Sequence, residues 1–198
     1  MSLLKSKVQA AGGGITKQLT KRQWREHLKA LLKKEFPHSS VQIQNQICEN
    51  LTEYLQSKTG VWAGYLALPE EPDLNPVFRH SENIEWAYPR MEADHLTFYI
   101  SQNFIKGPFG VMEPSEDSRK LYPEDLNGVL VPGLGFDKKG RRLGKGRGFY
   151  DKALAAYKGP KIGVCFDCQV VVDGELPEEE HDIRVDVLVT EKEIIQCK

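Results

Sequence analysis

Short apolar runs that alternate with helical periodicity are the feature of this sequence that most restricts its fold. Strands that are buried on both faces are nearly continuous apolar runs, and strands that alternate with helices pair in parallel. The pattern therefore predicts the α/β class, as a three-layer α/β/α sandwich with a mostly parallel sheet. The strands are expected at VWAGYLAL (61–68), IEWAY (84–88), LTFYI (96–100), GVLVP (128–132), KIGVC (161–165) and DVLVT (186–190).

Helical patterns lie before and between these strands. Apolar residues recur at spacings of three and four over 24–32 and again over 43–55, as on the buried face of an amphipathic helix. A threonine and a glutamine three residues later form a capping-box pattern at the start of the first stretch. Helices are therefore expected from Thr20, capped with Gln23, to near Pro37; from Ser39 or Ser40 to before Gly60; after Asn75-Pro76; and from about Phe149 to Tyr157.

The composition is that of one globular domain. Of 198 residues, 40% are hydrophobic and 28% are charged, so the chain can bury a sizeable core. The segment 1–16 contains AAGGG and little apolar periodicity, which predicts a flexible N-terminal arm before a single domain at 17–198. No apolar run approaches the roughly 18 residues that cross a bilayer, and no signal-peptide pattern opens the chain. We expect a cytoplasmic protein that has no membrane partner.

The four cysteines are too few and too irregularly spaced for a disulfide framework, so reduced thiols are expected. Cys165 and Cys168 form a C-x-x-C pattern, which is found in redox pairs and in halves of zinc sites. No second pair completes four zinc ligands. The alternative is that Cys165 ends the buried strand KIGVC as a small apolar residue.

The stretch RRLGKGRGFYD (141–151) is the strongest candidate for a functional site. It contains four cations and three glycines, although the net charge of the chain is only −1. The stretch follows the strand GVLVP and precedes a predicted helix, and ligands of α/β sheets collect at the carboxyl ends of strands. Glycines at alternate positions let the backbone approach phosphate oxygens, and Lys145 and Arg147 between them supply charge. The stretch is therefore predicted to bind an anion.

Asp151 closes this loop and needs its own explanation. If phosphates occupy the loop, Asp151 is a candidate Mg²⁺ ligand, because Mg²⁺ is held by one or two carboxylates together with phosphate oxygens. Asp186 is the best candidate for a second carboxylate, with Asp182 behind it. Neither the dinucleotide fingerprint nor the P-loop motif is present. A solvated basic hairpin that binds RNA phosphates is the alternative, although few basic residues elsewhere extend such a patch.

The longer stretch VLVPGLGFDKKGRRLGKGRGFYD (129–151) closely resembles the signature of the 5-formyltetrahydrofolate cyclo-ligase family. TKRQWREHLK, YLALPEE, GVMEP and HDIRVDVLVT are similar to further segments of that family, so the resemblance covers roughly residues 20 to 190. Phe149 stands where many members have a tyrosine, and Lys145 where some have another residue. Glu71 is aligned with the acidic folate contact in preference to Glu70.

The resemblance implies an enzyme of one-carbon metabolism, a ligase that uses ATP and Mg²⁺ to close 5-formyltetrahydrofolate to 5,10-methenyltetrahydrofolate through a phosphorylated formyl group. It implies Lys145 and Arg147 as catalytic residues, and Asp151 with Asp186 as metal ligands. The implied ATP contacts are Lys21, Arg25, Arg142, Leu143, Gly144, Lys145, Gly146, Arg147, Gly148, Phe149 and Tyr150. The implied folate contacts are Leu66, Glu71, Lys145, Gly146, Arg147, Gly148 and Phe149. On this reading the protein is a monomer that binds no nucleic acid.

Two other classes of function stay open at this point. One is an RNA- or nucleotide-binding module without chemistry, which would bind polyanions with a steep salt dependence. The other is a different phosphate-handling enzyme on a similar sandwich, such as a sugar-phosphate isomerase, which would need no nucleotide. The cyclo-ligase alone requires both ATP and a reduced folate.

Overall fold

The computed structural model of the chain describes residues 19–35, 41–93, 95–107, 110–172 and 176–198. Over these ranges the chain forms four α-helices: α1 (Lys21–Glu35), α2 (Val41–Leu55), α3 (Asn75–His80) and α4 (Phe149–Ala153). It also forms the strands β1 (Gly60–Ala63), β2 (Ile84–Glu92), β3 (His95–Ile100), β4 (Phe104–Lys106), β5 (Met112–Pro114), β6 (Arg119–Leu121), β7 (Gly128–Val131), β8 (Gly135–Asp137), β9 (Arg142–Leu143), β10 (Lys161–Val164), β11 (Val170–Val171), β12 (Val187–Val189) and β13 (Ile194–Gln196).

An eight-stranded sheet forms the centre of the fold, in the order β13-β12-β10-β7-β1-β2-β3-β6. The five strands from β12 to β2 are parallel, and β13, β3 and β6 add antiparallel strands at the two edges. Strands of a parallel sheet need crossover connections, which place other elements over both faces. The prediction of an α/β fold with a mostly parallel sheet is confirmed.

Successive strand residues enter two separate cores, one on each face of the sheet. In β1, Trp62 packs with α2 and α3, whereas Ala63 faces the core that contains Leu154 and Tyr157, after α4. In β7, Leu130 belongs to the first core, and Val129 and Val131 belong to the second. This alternation is the two-residue period of a strand, with both faces apolar because both are covered.

The observed elements differ from the expected ones in length more than in place. The Thr20 hydroxyl accepts a hydrogen bond from the backbone N–H of Gln23 at 3.3 Å, and the Gln23 side chain accepts one from the N–H of Thr20 at 2.9 Å, so the capping box of α1 is present. Strand β1 ends at Ala63, and α4 ends at Ala153 instead of near Tyr157. The N-terminal arm, the capping serines of α2 and Pro37 lie outside the described residues.

Strand β2 continues through Pro89, which the sequence pattern placed after its end. Beyond Ala87, β2 pairs with β3 but no longer with β1. Proline has no N–H to donate and is tolerated where a strand has a neighbour on one side only. Pro89 therefore lies opposite Phe98 of β3 without costing the sheet a hydrogen bond on its other side.

A second sheet, β11-β8-β9, holds the basic loop against α1. Trp24 and Leu28 of α1 form a small buried cluster with Leu143 of β9 and with Leu176. Strands β8 and β9 form an antiparallel pair after β7. The loop of Gly144 to Gly148 begins at the end of β9 and is therefore anchored by this pair. None of the helices in the described ranges combines the length and apolar composition that crossing a membrane requires.

Candidate active site

The basic loop borders a cleft of about 830 Å³, next to the N-terminal half of α1. The residues that line the cleft come from four segments: α1, β9 with the loop that follows it, α4 with Ala155 two residues beyond its end, and the stretch before β12. They are Lys21, Arg25, Arg142, Leu143, Gly144, Gly146, Arg147, Gly148, Asp151, Lys152, Ala155, Glu179, Glu180, His181, Asp182 and Ile183. Cations and carboxylates thus face the same space.

Two glycines of the loop have backbone conformations that other residues rarely adopt. The φ angles of Gly146 and Gly148 are 105° and 67°. Nothing lies within 4 Å of the position that a Cβ would take at Gly148, so this bare backbone faces open space. At Gly146 a Cβ would meet the guanidinium of Arg25 at 3.4 Å. The glycines therefore allow a sharp turn and leave the main chain accessible to a ligand, as the sequence predicts.

Arg142 is buried beneath the loop and joins it to the sheet. One guanidinium nitrogen donates to the carbonyl of Pro132 at 3.1 Å, and another donates to Asp151 Oδ1 at 2.7 Å. Its Nε is buried and has no hydrogen-bond partner among the described residues. The guanidinium carbon lies 5.8 Å from the ring centre of Tyr150. A buried cation needs such partners, and Asp151 supplies the opposite charge.

The cations of α1 also have partners within the site. Lys21 Nζ lies 2.8 and 2.6 Å from the two oxygens of Asp182, and 3.1 Å from Glu179 Oε2. Arg25 Nε donates to the carbonyl of Gly144 at 2.9 Å and so fixes the start of the loop. The spacing of four residues that the sequence predicted does place both cations at one side of the cleft.

Asp151 and Asp182 are the two aspartates that line the cleft in the described chain. The backbone N–H of Ile183, the residue after Asp182, donates a hydrogen bond to Asp151 Oδ1 at 3.3 Å. This bond connects Asp151 to the segment that carries Asp182. Their side chains are 13% and 11% exposed. Carboxylate oxygens are the ligands that Mg²⁺ prefers, so these two residues fit that ion.

Asp186 does not join this pair, in contrast to the sequence-based prediction. It precedes β12, and its Oδ2 accepts a hydrogen bond of 2.7 Å from the backbone N–H of Lys161, the first residue of β10. The side chain of Asp186 is 54% exposed. Both residues lie at the amino ends of parallel strands, whereas the loop follows the carboxyl end of β7. Asp182, the second choice from the sequence, lines the cleft instead.

Lys145 turns away from the cleft toward the loop that follows β1. Its Nζ lies 2.8 Å from Glu71 Oε1 and 3.2 Å from Glu70 Oε1. The side chain of Glu71 is only 7% exposed, and its Oε2 accepts a hydrogen bond of 2.9 Å from the N–H of Leu68. Leu66 lies partly buried in the same segment. The structure therefore brings Lys145 together with Glu71, and neither residue lines the cleft.

Two tyrosines lie near this acidic group. Tyr65 is 3% exposed, and its hydroxyl has no hydrogen-bond partner among the described residues. Burial raises the pKa of Tyr65 well above its ordinary value, and the negative charge of Glu71 raises it further. Burial and the charge of Glu71 also raise the pKa of Tyr150. Both phenols are therefore neutral near pH 7, and they can donate hydrogen bonds but cannot act as bases.

The remaining predicted contacts divide between the two sides of the loop. Arg147 is exposed at the cleft, and Gly144 lines it. The side chain of Leu143 is buried under α1, although the residue also borders the cleft. Phe149 and Tyr150 open α4 and do not line the cleft. Apart from Asp182, the sequence reasoning missed the wall formed by residues 179–183, for which the stretch HDIRVDV gave the signal.

Comparison with known proteins identifies the family of the chain. A model of the 5-formyltetrahydrofolate cyclo-ligase family matches residues 17–191. A probable 5-formyltetrahydrofolate cyclo-ligase of Schizosaccharomyces pombe is 27% identical over 205 residues, with 90% of this chain and 98% of that protein covered. The 5-formyltetrahydrofolate cyclo-ligase of Escherichia coli K12 is 34% identical over 103 residues, with 50% of this chain and 56% of that protein covered.

Solved structures show the same fold. The NMR structure of Aquifex aeolicus 5,10-methenyltetrahydrofolate synthetase has a TM-score of 0.74 and 33% sequence identity, over 90% of this chain and 93% of that one. A 5,10-methenyltetrahydrofolate synthetase from Mycoplasma pneumoniae has a TM-score of 0.70 at 22% identity, over 87% of this chain and 99% of that one, and it supports the fold alone. The resemblance read from the sequence is confirmed: the chain belongs to the 5-formyltetrahydrofolate cyclo-ligase family and is a ligase.

Proposed function

We propose that the protein converts 5-formyltetrahydrofolate to 5,10-methenyltetrahydrofolate with consumption of ATP in the presence of Mg²⁺ and release of ADP and phosphate. The observation that carries the proposal is the cleft in which a bare glycine loop, cations and two aspartates face one another. Family membership supports a folate as the substrate, and the charged groups of the cleft support the binding of a nucleotide.

The reaction needs activation because the oxygen of a formamide is a poor leaving group. In the proposed sequence the formyl oxygen attacks the γ-phosphorus, the bond from that phosphorus to the ADP oxygen breaks, and a phosphate ester of the formyl group forms. N10 then adds to the formyl carbon and loses its proton, and phosphate departs with the oxygen. For phosphoryl transfer, a protein mainly has to position the reacting groups and neutralise the phosphate charge.

The nucleotide is proposed to occupy the cleft beside α1. The glycines at 146 and 148 let main-chain N–H groups approach phosphate oxygens, and Arg147 at the cleft rim provides a planar, bidentate donor. Lys21 and Arg25 add positive charge from α1. Arg142 is buried and fixed by Pro132 and Asp151, so it shapes the loop from below.

Asp151 and Asp182 are proposed as the carboxylates that hold Mg²⁺, in place of the pair Asp151 and Asp186. Bound Mg²⁺ would neutralise phosphate charge and orient the γ-phosphoryl group. Each aspartate is currently paired with a cation of the site, Asp151 with Arg142 and Asp182 with Lys21. Both are mostly buried, so their charges are only weakly screened by solvent.

The folate is proposed to bind on the other side of the loop, beside Glu71. This carboxylate is nearly buried and can accept hydrogen bonds from pterin N–H groups, while the unpartnered hydroxyl of Tyr65 can donate one nearby. Leu66 is expected to contact the ring system. Lys145 extends from the loop to Glu71, so we expect it to act at the formyl group where the two substrates meet.

The test is the formation of the methenyl product, followed by its near-ultraviolet absorbance, with ATP, Mg²⁺ and 5-formyltetrahydrofolate each omitted in turn. The proposal predicts product, ADP and phosphate in equal amounts only when all three components are present. Product formed without ATP would refute the phosphorylated intermediate. Absence of product with all three components would refute the proposed function itself.

A further inference from the structure

Asp182 belongs to an exposed polar turn that lies between two buried residues, Leu176 and Ile183. The backbone N–H of Asp182 donates a hydrogen bond to the carbonyl of Glu179 at 3.0 Å and closes the turn. Residues 179–181 are exposed, so apolar packing contributes little to their position. The place of Asp182 at the cleft therefore depends on charged and hydrogen-bonded contacts.

A bidentate ion pair joins the two ends of this turn. Arg184 Nε donates to Glu178 Oε1 at 2.6 Å, and Arg184 Nη2 donates to Glu178 Oε2 at 2.7 Å. The hydrogen bonds from Arg184 hold the pKa of Glu178 below its ordinary value, so the pair is ionised near pH 7. Two parallel hydrogen bonds fix the relative orientation of a guanidinium and a carboxylate. The pair therefore fixes the distance across the turn from residue 178 to residue 184.

A second guanidinium connects the same carboxylate to the base of the basic loop. Arg141, just before β9, has its Nε 3.3 Å from Glu178 Oε2, and both side chains are only 24% exposed. The backbone N–H of Arg141 donates to Oδ1 of the fully buried Asp137 at 3.0 Å. Nearby, the N–H of Val185 donates to the carbonyl of Gly140 at 2.9 Å. Glu178 thus connects the acidic turn to the β8–β9 pair, which anchors the loop.

We propose that Glu178 is a positioning residue that holds Asp182 in place to bind Mg²⁺. It acts through its two guanidinium partners and does not contact the metal ion. This inference rests on the proposed function. Glu178 itself does not line the cleft, whereas residues 179–183 do. Groups that orient a metal ligand from outside the coordination sphere typically change metal affinity by about tenfold to a hundredfold.

The experiment measures by calorimetry how the affinity for ADP rises with the Mg²⁺ concentration in the wild type, in Glu178→Gln and in Arg184→Gln. Both variants are expected to shift this dependence to about tenfold higher Mg²⁺. In the methenyl assay they should keep the KM for 5-formyltetrahydrofolate, and saturating Mg²⁺ should restore their kcat. Because the Arg184 side chain is 50% exposed, both variants are expected to remain folded, which their melting temperatures check.

The direction of the two effects separates positioning from simple electrostatics. Through space, loss of a negative charge would weaken Mg²⁺ binding, whereas loss of a positive charge would strengthen it. Positioning predicts that both changes weaken it. The double variant should need no more Mg²⁺ than either single variant, because the two changes break the same ion pair.

Glu85→Gln is the matched control, because Glu85 forms an exposed ion pair of 2.8 Å with Arg119 and does not line the cleft. Its Mg²⁺ dependence should equal that of the wild type. An unchanged Mg²⁺ dependence in Glu178→Gln, or effects of opposite sign in the two single variants, would overturn the positioning role and leave the proposed function intact. A wild type whose ADP affinity does not respond to Mg²⁺ would refute the metal site and the positioning role together.

Discussion

Replacement of Asp182 by asparagine tests the assignment of the second carboxylate. Asparagine keeps the size and most hydrogen bonds of the side chain but removes the charge that faces Lys21 and the cleft. If Asp182 holds Mg²⁺ against the phosphates, the loss of one such charged group costs about 3 kcal/mol of transition-state stabilisation, or roughly a hundredfold in turnover. Asp151→Asn should have an effect of similar size, and raised Mg²⁺ should restore part of the activity in both.

The effect of the same variant on folding is expected to be smaller. The Lys21 and Asp182 side chains are 17% and 11% exposed, so their pair lies between a surface pair and a buried one. The variant is expected to lose about 1 to 2 kcal/mol of unfolding free energy. In a chain of this size that is about 3 to 6 °C in melting temperature. The increase in melting temperature that MgATP produces in the wild type should be nearly absent in the variant.

Asp186→Asn is the matched control for this prediction. Within the described residues, the side chain of Asp186 has one hydrogen bond and one ion pair, both with Lys161. This side chain is 54% exposed. Its replacement should leave turnover within about twofold of the wild type, as expected for a surface site. A strong loss of turnover in Asp186→Asn, together with an active Asp182→Asn enzyme, would refute the structural reasoning and restore the original pair of ligands.

Three further changes test other parts of the site. Arg147→Ala should slow turnover by raising the activation barrier by about 2 to 4 kcal/mol, while the melting temperature falls by at most a few degrees. Normal turnover in this variant would show that Arg147 has no role in the reaction. Gly148→Ala should cost about 1 kcal/mol of unfolding free energy, measured by urea titration, because its φ is 67° although the space is open; a higher KM for ATP is expected as the methyl group enters the cleft. Cys165→Ala with Cys168→Ala should leave turnover intact, because burial raises the pKa of both thiols and keeps them protonated; stoichiometric zinc in the purified wild-type protein would contradict this.

The sequence predicts the central sheet well because burial on both faces leaves a strong pattern. All six predicted strands are present, and the capping box of α1 is formed. The small sheet β11-β8-β9 was not predicted. Its strands have two or three residues each, and part of it lies within the charged stretch that was read as an irregular loop. Such strands are defined by their partners and not by a periodic pattern of their own.

The candidate site was also predicted only in part. The loop, its glycines and the cations of α1 could be placed from the sequence because they are close together in the chain or share one helical face. The distance of Asp186 from the cleft has a physical reason. An aspartate that opens a parallel strand lies at the amino edge of the sheet, while the ligand loops leave the carboxyl edge. The partner of Lys145 also depends on how the segment after β1 folds back, which no local pattern indicates.

The ion pairs of the site suggest how the two proposed substrates affect each other. Lys21 pairs with Asp182, Arg142 with Asp151, and Lys145 with Glu71. In each pair, a cation predicted to bind ATP contacts a carboxylate proposed to bind Mg²⁺ or folate. A triphosphate that entered without a metal ion would place its negative charge beside two mostly buried aspartates, which is unfavourable.

With Mg²⁺ and both substrates bound, most members of these pairs would have a new partner. The aspartates would face the metal ion, while Lys21 would face phosphate oxygens. At Glu71 the pterin N–H groups would replace the ammonium group of Lys145, so folate binding would leave Lys145 available for the phosphorylated formyl group. The buried charged groups would then keep a partner at each stage, and the loop that separates the two substrates would couple their binding through Lys145.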